Sequence, residues 1–266
     1  MKVKIIQYNI LNGFCGDNPP FIIDKKRMRA VCRLLNKEKP DILVLNESFF
    51  WPFALKQKAK DYNKFFSSLY SMPDLSDKLF RWAPSIVSRF PITFQDLSTD
   101  DFKFIKANIK IGKKKLVLHA YHPSHKTNEE QKEESIKKIF SYPLPDIIVG
   151  DFNSLSSEDK YDKNKLIRGF RTFMGKNGDA KVKDLLRAKM IKRILDAGFK
   201  DTLYSAGKSW DYTMPSDLRS KNKDSAIRMD FIFSKGFKVI DAGIIRNKLT
   251  DMASDHYPVY AVLEIK

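Results

Sequence analysis

Short apolar runs recur along this chain, and most of them end in, or carry, one polar residue of a kind that can hold a metal or move a proton. Ile147-Ile148-Val149 runs into Gly150-Asp151-Phe152-Asn153. Ser254-Asp255-His256-Tyr257-Pro258 opens the run that starts at Val259. An apolar run of this length, bounded by turn residues, reads as a buried strand. Polar groups gathered at strand ends belong to the rim of a sheet, where ligands bind in α/β folds. Gly, Asp and Asn are common in ordinary turns as well. One such segment therefore decides nothing; the repetition carries the argument.

The rest of the chain has the same rhythm. Strands are expected at Val3 to Tyr8, Asp41 to Leu45, Ser85 to Arg89, Phe104 to Ile111 and Leu116 to Tyr121, the last two forming a hairpin about Gly112. Further strands are expected at Ile147 to Val149, Arg228 to Phe233, Phe237 to Ile245 and Val259 to Ile265. Helical spacing of Met28, Val31, Leu34 and Leu35 predicts a helix over Lys25 to Glu38, stopped by Pro40. Glu129 to Phe140 and Leu185 to Leu195 are read as two more, the latter ended by Gly198. Residues 154 to 225 are the least regular and most charged, so substrate-facing loops are expected there. No linker, repeat or low-complexity segment divides the chain, and one α/β domain over 1–266 is the economical reading.

Composition narrows the class. The 266 residues are 42% apolar, enough for a sizeable core and too many for disorder. No run is long and apolar enough for a membrane span, and the start Met1-Lys2-Val3-Lys4 shows no apolar signal core. The only cysteines are Cys15 and Cys32, with no CxxC pair, so a disulfide framework and a zinc site are both unexpected. A reducing cytoplasm is the expected location. Lys and Arg number 49 against 32 Asp and Glu, a net charge of +17. That surplus suits a polyanionic partner: nucleic acid, an anionic membrane surface or a phosphorylated small molecule. It also suits the Lys-heavy, Phe-rich usage of an A/T-rich genome.

The polar residues at the strand ends are Asn9, Glu47, His122, Asp151 with Asn153, Asp230, and Asp255 with His256. Oxygen ligands with imidazoles and no thiolates suit Mg²⁺ or Mn²⁺ rather than zinc. His119 and His122 have opposite parity on one strand, so only one can face a shared site. His122 is expected there because it ends the strand before Pro123. His119 is then a structural histidine with its ring satisfied.

These ordered segments resemble the endonuclease/exonuclease/phosphatase superfamily, the metal-dependent phosphodiesterases related to pancreatic-type deoxyribonuclease and neutral sphingomyelinase. The resemblance runs from Tyr8 to Val259. It rests on Tyr8-Asn9-Ile10, Leu45-Asn46-Glu47, a strand-end His, Gly150-Asp151-Phe152-Asn153, Arg228-Met229-Asp230-Phe231-Ile232 and Ser254-Asp255-His256-Tyr257-Pro258-Val259. It implies a four-layer α/β sandwich: two packed mixed sheets flanked by helices, with the site at one rim. It implies that Glu47, helped by Asn9, holds Mg²⁺, with Asp255 at that metal or at a second position. Asp151 would orient or deprotonate the attacking water, Asn153 would hold a phosphoryl oxygen, and His256, oriented by Asp230, would act at the phosphate. His122 would be the remaining site histidine.

Departures from the pattern bear on substrate. The abasic-site endonuclease branch usually has Tyr in place of His122, and an Ala-His pair soon after the Gly-Asp-x-Asn motif; here Ser154 to Asp159 follow. The tyrosyl-DNA phosphodiesterase branch usually has Thr where Phe152 stands. Asn46 replaces a frequent Gln. Phe49-Phe50-Trp51-Pro52-Phe53 is the one apolar segment suited to docking a membrane, stacking on substrate or simple burial. Thr213 is read as structural, and Trp210 is left between core and substrate. The charge puts a nuclease acting on DNA or RNA first. A phosphatase or phosphodiesterase acting on a phospholipid headgroup (sphingomyelinase-like), an inositol phosphate or a nucleotide is the alternative.

Overall fold

The computed structural model describes residues 1–15, 23–48, 68–70, 84–99 and 101–265, with the backbone alone at 68–70. The strands are β1 (Lys2–Asn9), β2 (Ile42–Asn46), β3 (Ser68–Tyr70), β4 (Ser85–Ser88), β5 (Ile92–Asp96) and β6 (Phe102–Ile111). They continue as β7 (Lys114–Pro123), β8 (Ile147–Asp151), β9 (Lys200–Asp201), β10 (Asp230–Ser234), β11 (Lys238–Ile244) and β12 (Val259–Glu264). Two six-stranded sheets result, in the orders β11-β12-β1-β2-β4-β3 and β5-β6-β7-β8-β10-β9. The pairs β1–β2 and β7–β8 are parallel and their neighbours antiparallel, so both sheets are mixed.

Side-chain alternation explains how the sheets face each other. Val3, Ile5, Ile42, Val44, Leu118, Ala120, Ile147, Val149, Ile232 and Ala261 form one buried cluster between them. Their neighbours in sequence point outward. Ile6, Tyr8, Leu43 and Leu45 pack under helix α1 (Lys25–Glu38). Tyr121, Ile148, Phe231 and Phe233 pack under α2 (Glu129–Phe140). The order is helix, sheet, sheet, helix: the four-layer sandwich. Each fully buried aliphatic side chain in these layers contributes roughly 1.5–3 kcal/mol.

The inner faces change character at one end. On β1 the inward series runs Val3, Ile5, Gln7, Asn9; on β2 it runs Ile42, Val44, Asn46; on β7 it runs Leu118, Ala120, His122; on β8 it runs Ile147, Val149, Asp151. β10 is antiparallel to β8 and pairs Asp230 with Asp151, so its polar residue comes first, before Ile232. A single rim of the sandwich thus collects the polar side chains.

Helix caps follow the sequence. Asp24 accepts hydrogen bonds from Lys26 N and Arg27 N at the start of α1, and Asn128 with Gln131 forms a capping box on α2. The expected helix over Leu185 to Leu195 is broken. Its first residue closes α4 (Asn177–Leu185), which follows α3 (Lys163–Met174); Ala188 then takes a φ of 50°, and α5 (Lys189–Asp196) begins. Leu185 belongs to a cluster with Leu166, Phe170 and Val182, whereas Met190, Ile191 and Ile194 bury under the second sheet. Two burial targets in different directions require a turn between them. The same helices correct the expectation of loops throughout 154 to 225, because 163–174, 177–185 and 189–196 are helical.

Candidate active site

Asp151 organises the rim. Its Oδ2 accepts a hydrogen bond from Asn9 Nδ2 at 3.0 Å and lies 3.6 Å from His122 Nε2 and 3.8 Å from His256 Nε2. Its Oδ1 accepts from Asn153 N at 2.9 Å. The Gly before it is required by close packing: a Cβ at Gly150 would come within 1.8 Å of Tyr121 O on β7.

His256 is set from its other nitrogen, with Nδ1 2.7 Å from Asp230 Oδ2. Burial alone pushes the imidazolium toward losing its proton. Asp230, then Asp151 and Asp255, outweigh that and raise its pKa well above the ordinary histidine value. Ser254 fixes the approach of this segment, donating through Oγ to Asn9 O at 2.6 Å.

Glu47 sits just past β2 with a φ of 54°, a conformation costly for a residue with a Cβ and common at functional sites. Its Oε1 accepts from Asn9 Nδ2 and its Oε2 from Asn12 N, both at 3.0 Å. Burial raises its pKa and nearby Asp255 adds to the rise, while His122, Asn9 and Asn12 oppose it. The protein alone therefore under-compensates the charge of Glu47. Glu47 and Asp255 offer carboxylate oxygens, donors of the kind that would suit a divalent cation such as Mg²⁺. Asn9 meets the carboxylates with its NH₂ group, and its Oδ1 accepts from Leu11 N at 3.0 Å, leaving one lone pair on that oxygen for ligation.

Among the described residues, Asp151, Asp230 and His256 also place potential ligand atoms within 4.8 Å of one another. His256 Nδ1 is already engaged with Asp230 Oδ2, and Asp230 Oδ1 with Gln7 Nε2. Those atoms already serve one another.

Asn153 lies beyond β8 with a φ of 47°. Its Nδ2 donates to Pro123 O at 3.0 Å, which uses one of the two amide hydrogens. A buried ion pair holds its backbone: Lys132 Nζ donates to Asn153 O and to Glu129 Oε1, and Glu129 Oε2 accepts from Ser154 Oγ at 2.8 Å.

The structure thus brings Asn9, Glu47, His122, Asp151, Asn153, Asp230, Asp255 and His256 to one rim, all but Glu47 and Asn153 of them buried. It separates the two histidines of β7. His119 points outward, edge-on to Phe104 with ring centroids 4.9 Å apart, and neither ring nitrogen has a hydrogen-bond partner. The expectation of a satisfied ring is corrected. The ring is instead a neutral filler against Phe104, and burial, with Lys106 adding to it, pushes its pKa down to about 3. Trp210 packs against Tyr161 with centroids 4.7 Å apart. Thr213 Oγ1 accepts from Met229 N at 3.0 Å and from Asp230 N at 3.3 Å, bracing the start of β10. Phe49 to Phe53 lie outside the described residues.

Three supporting residues were not among the expected site residues. Gln7 and Asn46 link the sheets behind the site. Arg27, buried on α1, donates to Ala253 O, Ile10 O and Leu11 O at 2.8 Å, tying the end of β1 to the segment that carries Asp255. Gln7 shares parity with Asn9, the one hint available. Arg228, in the strand-start motif, is structural: it forms a buried two-point pair with Asp159 at 3.0 and 2.7 Å and reaches Asp201 at 2.7 Å.

A two-sheet sandwich with carboxylates, amides and imidazoles at one rim defines a phosphoesterase architecture. The chain belongs to the Endonuclease/Exonuclease/phosphatase family, whose profile matches residues 6–256. Members of that family are phosphoric ester hydrolases, and this chain is an enzyme of that class. Among solved structures it is similar to TDP2 of D. rerio complexed with a single-strand DNA product, at 19% identity, 99% of each chain covered and TM-score 0.65. It is similar to an AP endonuclease from Archaeoglobus fulgidus at 20% identity, with 99% of this chain and 100% of that one covered and TM-score 0.66. A family protein from Leptotrichia buccalis C-1013-b matches at 15% identity, with 99% and 100% covered and TM-score 0.65. At these identities the likeness is one of fold. No curated protein sequence matches the chain. No helix among the described residues is long and apolar enough to cross a membrane.

Proposed function

We propose that the chain is a nuclease, a divalent-metal-dependent phosphodiesterase acting on DNA or RNA. The observation that carries the hydrolytic reading is the convergence on Asp151 Oδ2 of Asn9, His122 and His256, with His256 fixed from behind by Asp230. A phosphodiester is an anion that repels water, so it needs positive charge beside it and a positioned nucleophile. Asp151 orients the water and takes its proton. His256, kept protonated by Asp230 and Asp151, faces the phosphoryl oxygens with positive charge. Asn153 presents its free amide hydrogen to one of them, and His122 stands on the same carboxylate as a second imidazole. Glu47, Asn9 and Asp255 would hold the metal, Mg²⁺ or in its place Mn²⁺, which would supply positive charge against the growing negative charge of the phosphate.

Nucleic acid is preferred as substrate because a net charge of +17 favours a polymer of phosphates over a single one. A cytoplasmic location is the reading that suits a chain with only two cysteines, Cys15 and Cys32. The test is hydrolysis, with Mg²⁺, of labelled single- and double-stranded DNA, RNA, abasic DNA and sphingomyelin. Cleavage of a polynucleotide supports the reading. Cleavage of sphingomyelin or a mononucleotide alone replaces it with the lipid or small-molecule alternative.

A further inference from the structure

The interior of a sheet sandwich is apolar wherever packing alone decides. Gln7 departs from that. It follows Val3 and Ile5 on the inward face of β1 and is fully buried. Its Nε2 donates to Asp230 Oδ1 on β10 and to Asn46 Oδ1 on β2, both at 2.9 Å. Its Oε1 has no partner. Asn46 Oδ1 accepts again, from Asp151 N at 3.0 Å, and Asn46 Nδ2 reaches Tyr121 O at 3.4 Å.

Both acceptors require the NH₂ end of Gln7, so the amide has one orientation and its carbonyl is stranded. A buried amide with a stranded carbonyl is a poor choice for stability. It is a good choice for Asp230. One oxygen of that carboxylate meets His256 Nδ1, and the other would be free to rotate away without Gln7. A neutral donor also holds Asp230 without cancelling its charge, which a Lys or Arg in the same place would do.

We propose that Gln7 is a positioning residue. It clamps Asp230 so that Asp230 aims His256, and through Asn46, its neighbour on β2 of the same sheet, it ties this pair to the backbone of Asp151, the cross-strand partner of Asp230 in the opposite sheet. The proposal rests on the reading of the site as a phosphoesterase.

The test compares Gln7→Met, which keeps length and volume and removes the donor, in two backgrounds. On whichever phosphodiester the protein cleaves, Gln7→Met should lower kcat by roughly ten- to a hundredfold with KM nearly unchanged, as loss of a hydrogen bond to a charged group implies. In an Asp230→Ala background the same change should cost less than about twofold, because the group it positions is gone. A merely structural role gives equal losses in both backgrounds, and that result overturns the proposal. So does an unchanged kcat for Gln7→Met while His256→Ala is impaired. If His256→Ala is also unimpaired, the reading of the site falls and the proposal falls with it. Should Gln7→Met fail to fold, Gln7→Asn keeps the amide but shortens it beyond reach of both acceptors, and the same criteria apply.

Discussion

Nδ1 of His256 lies 2.7 Å from Oδ2 of Asp230, and both side chains are buried. The contact fixes the ring and leaves Nε2 on the side of Asp151 Oδ2, 3.8 Å away. A protonated imidazole beside an ionised carboxylate is an arrangement in which one group carries charge and the other accepts a proton.

That pair yields the first prediction. His256→Ala and Asp151→Asn should each reduce turnover by at least roughly a hundredfold, the scale expected of positioned acid–base and electrostatic groups. The double variant should lose much less than the product, since both groups serve one transition state. Circular dichroism should show both proteins folded. Wild-type rates in both single variants, on every substrate cleaved, would remove the mechanism.

Glu47 leads to the second. Its charge is under-compensated by the protein around it. Activity should vanish with a chelator and return with Mg²⁺ or Mn²⁺, and Glu47→Gln should raise the metal concentration needed for half-maximal rate. Full activity in excess chelator contradicts the assignment.

His119 gives a prediction with a sign. In the unfolded chain its pKa is the ordinary value near 6.5; folding pushes it down to about 3. The unfolded state therefore binds a proton that the folded state refuses. The stability is full above about pH 6.5 and drains away as pH falls toward about 3, at up to about 1.4 kcal/mol per unit. Urea denaturation of His119→Leu should show a shallower fall over that window. His119→Ala should lose stability with turnover nearly kept. Loss of turnover in a stable His119→Ala protein would exchange the roles given to His119 and His122.

Arg228 pairs two buried carboxylates, Asp159 and Asp201. Arg228→Leu strands them, so a loss of about 3–5 kcal/mol in unfolding free energy is expected, the usual cost of breaking a buried pair. A small shift in the denaturation midpoint would show that the two carboxylates protonate and tolerate the change.

Salt separates substrates. Affinity for a polynucleotide should fall steeply between low and physiological salt through counterion release. A flat response, measured by fluorescence anisotropy with a labelled oligonucleotide, favours a small or lipid phosphoester.

Much of this architecture was legible in the sequence because it is local. The apolar run Ile147-Ile148-Val149 marked a buried strand with Asp151 at its end; the structure then puts Ile147 and Val149 on one face and Ile148 on the other. Parity likewise separated His119 from His122 before any contact was known. The helices over Lys25–Glu38 and Glu129–Phe140 match their expected bounds, each with a polar cap and an apolar stripe. The break between α4 and α5 escaped the sequence because charged residues interrupt no period; only the separate burial targets of Val182 and Met190 enforce it.

What the tertiary structure alone decided are the relationships across the sandwich. The sequence marked most of the strands, though not β3, β5 or β9, and the polar residues at their ends, because apolar runs and side-chain period act within a few residues. It did not determine that Asp230 would stand opposite Asp151, that Asn9 would bridge Glu47 and Asp151, or that Gln7 would reach Asp230. Each of those contacts depends on which strands pair and how two sheets settle face to face. The cost of burying unpaired polar groups then selects among the contacts that the packing allows.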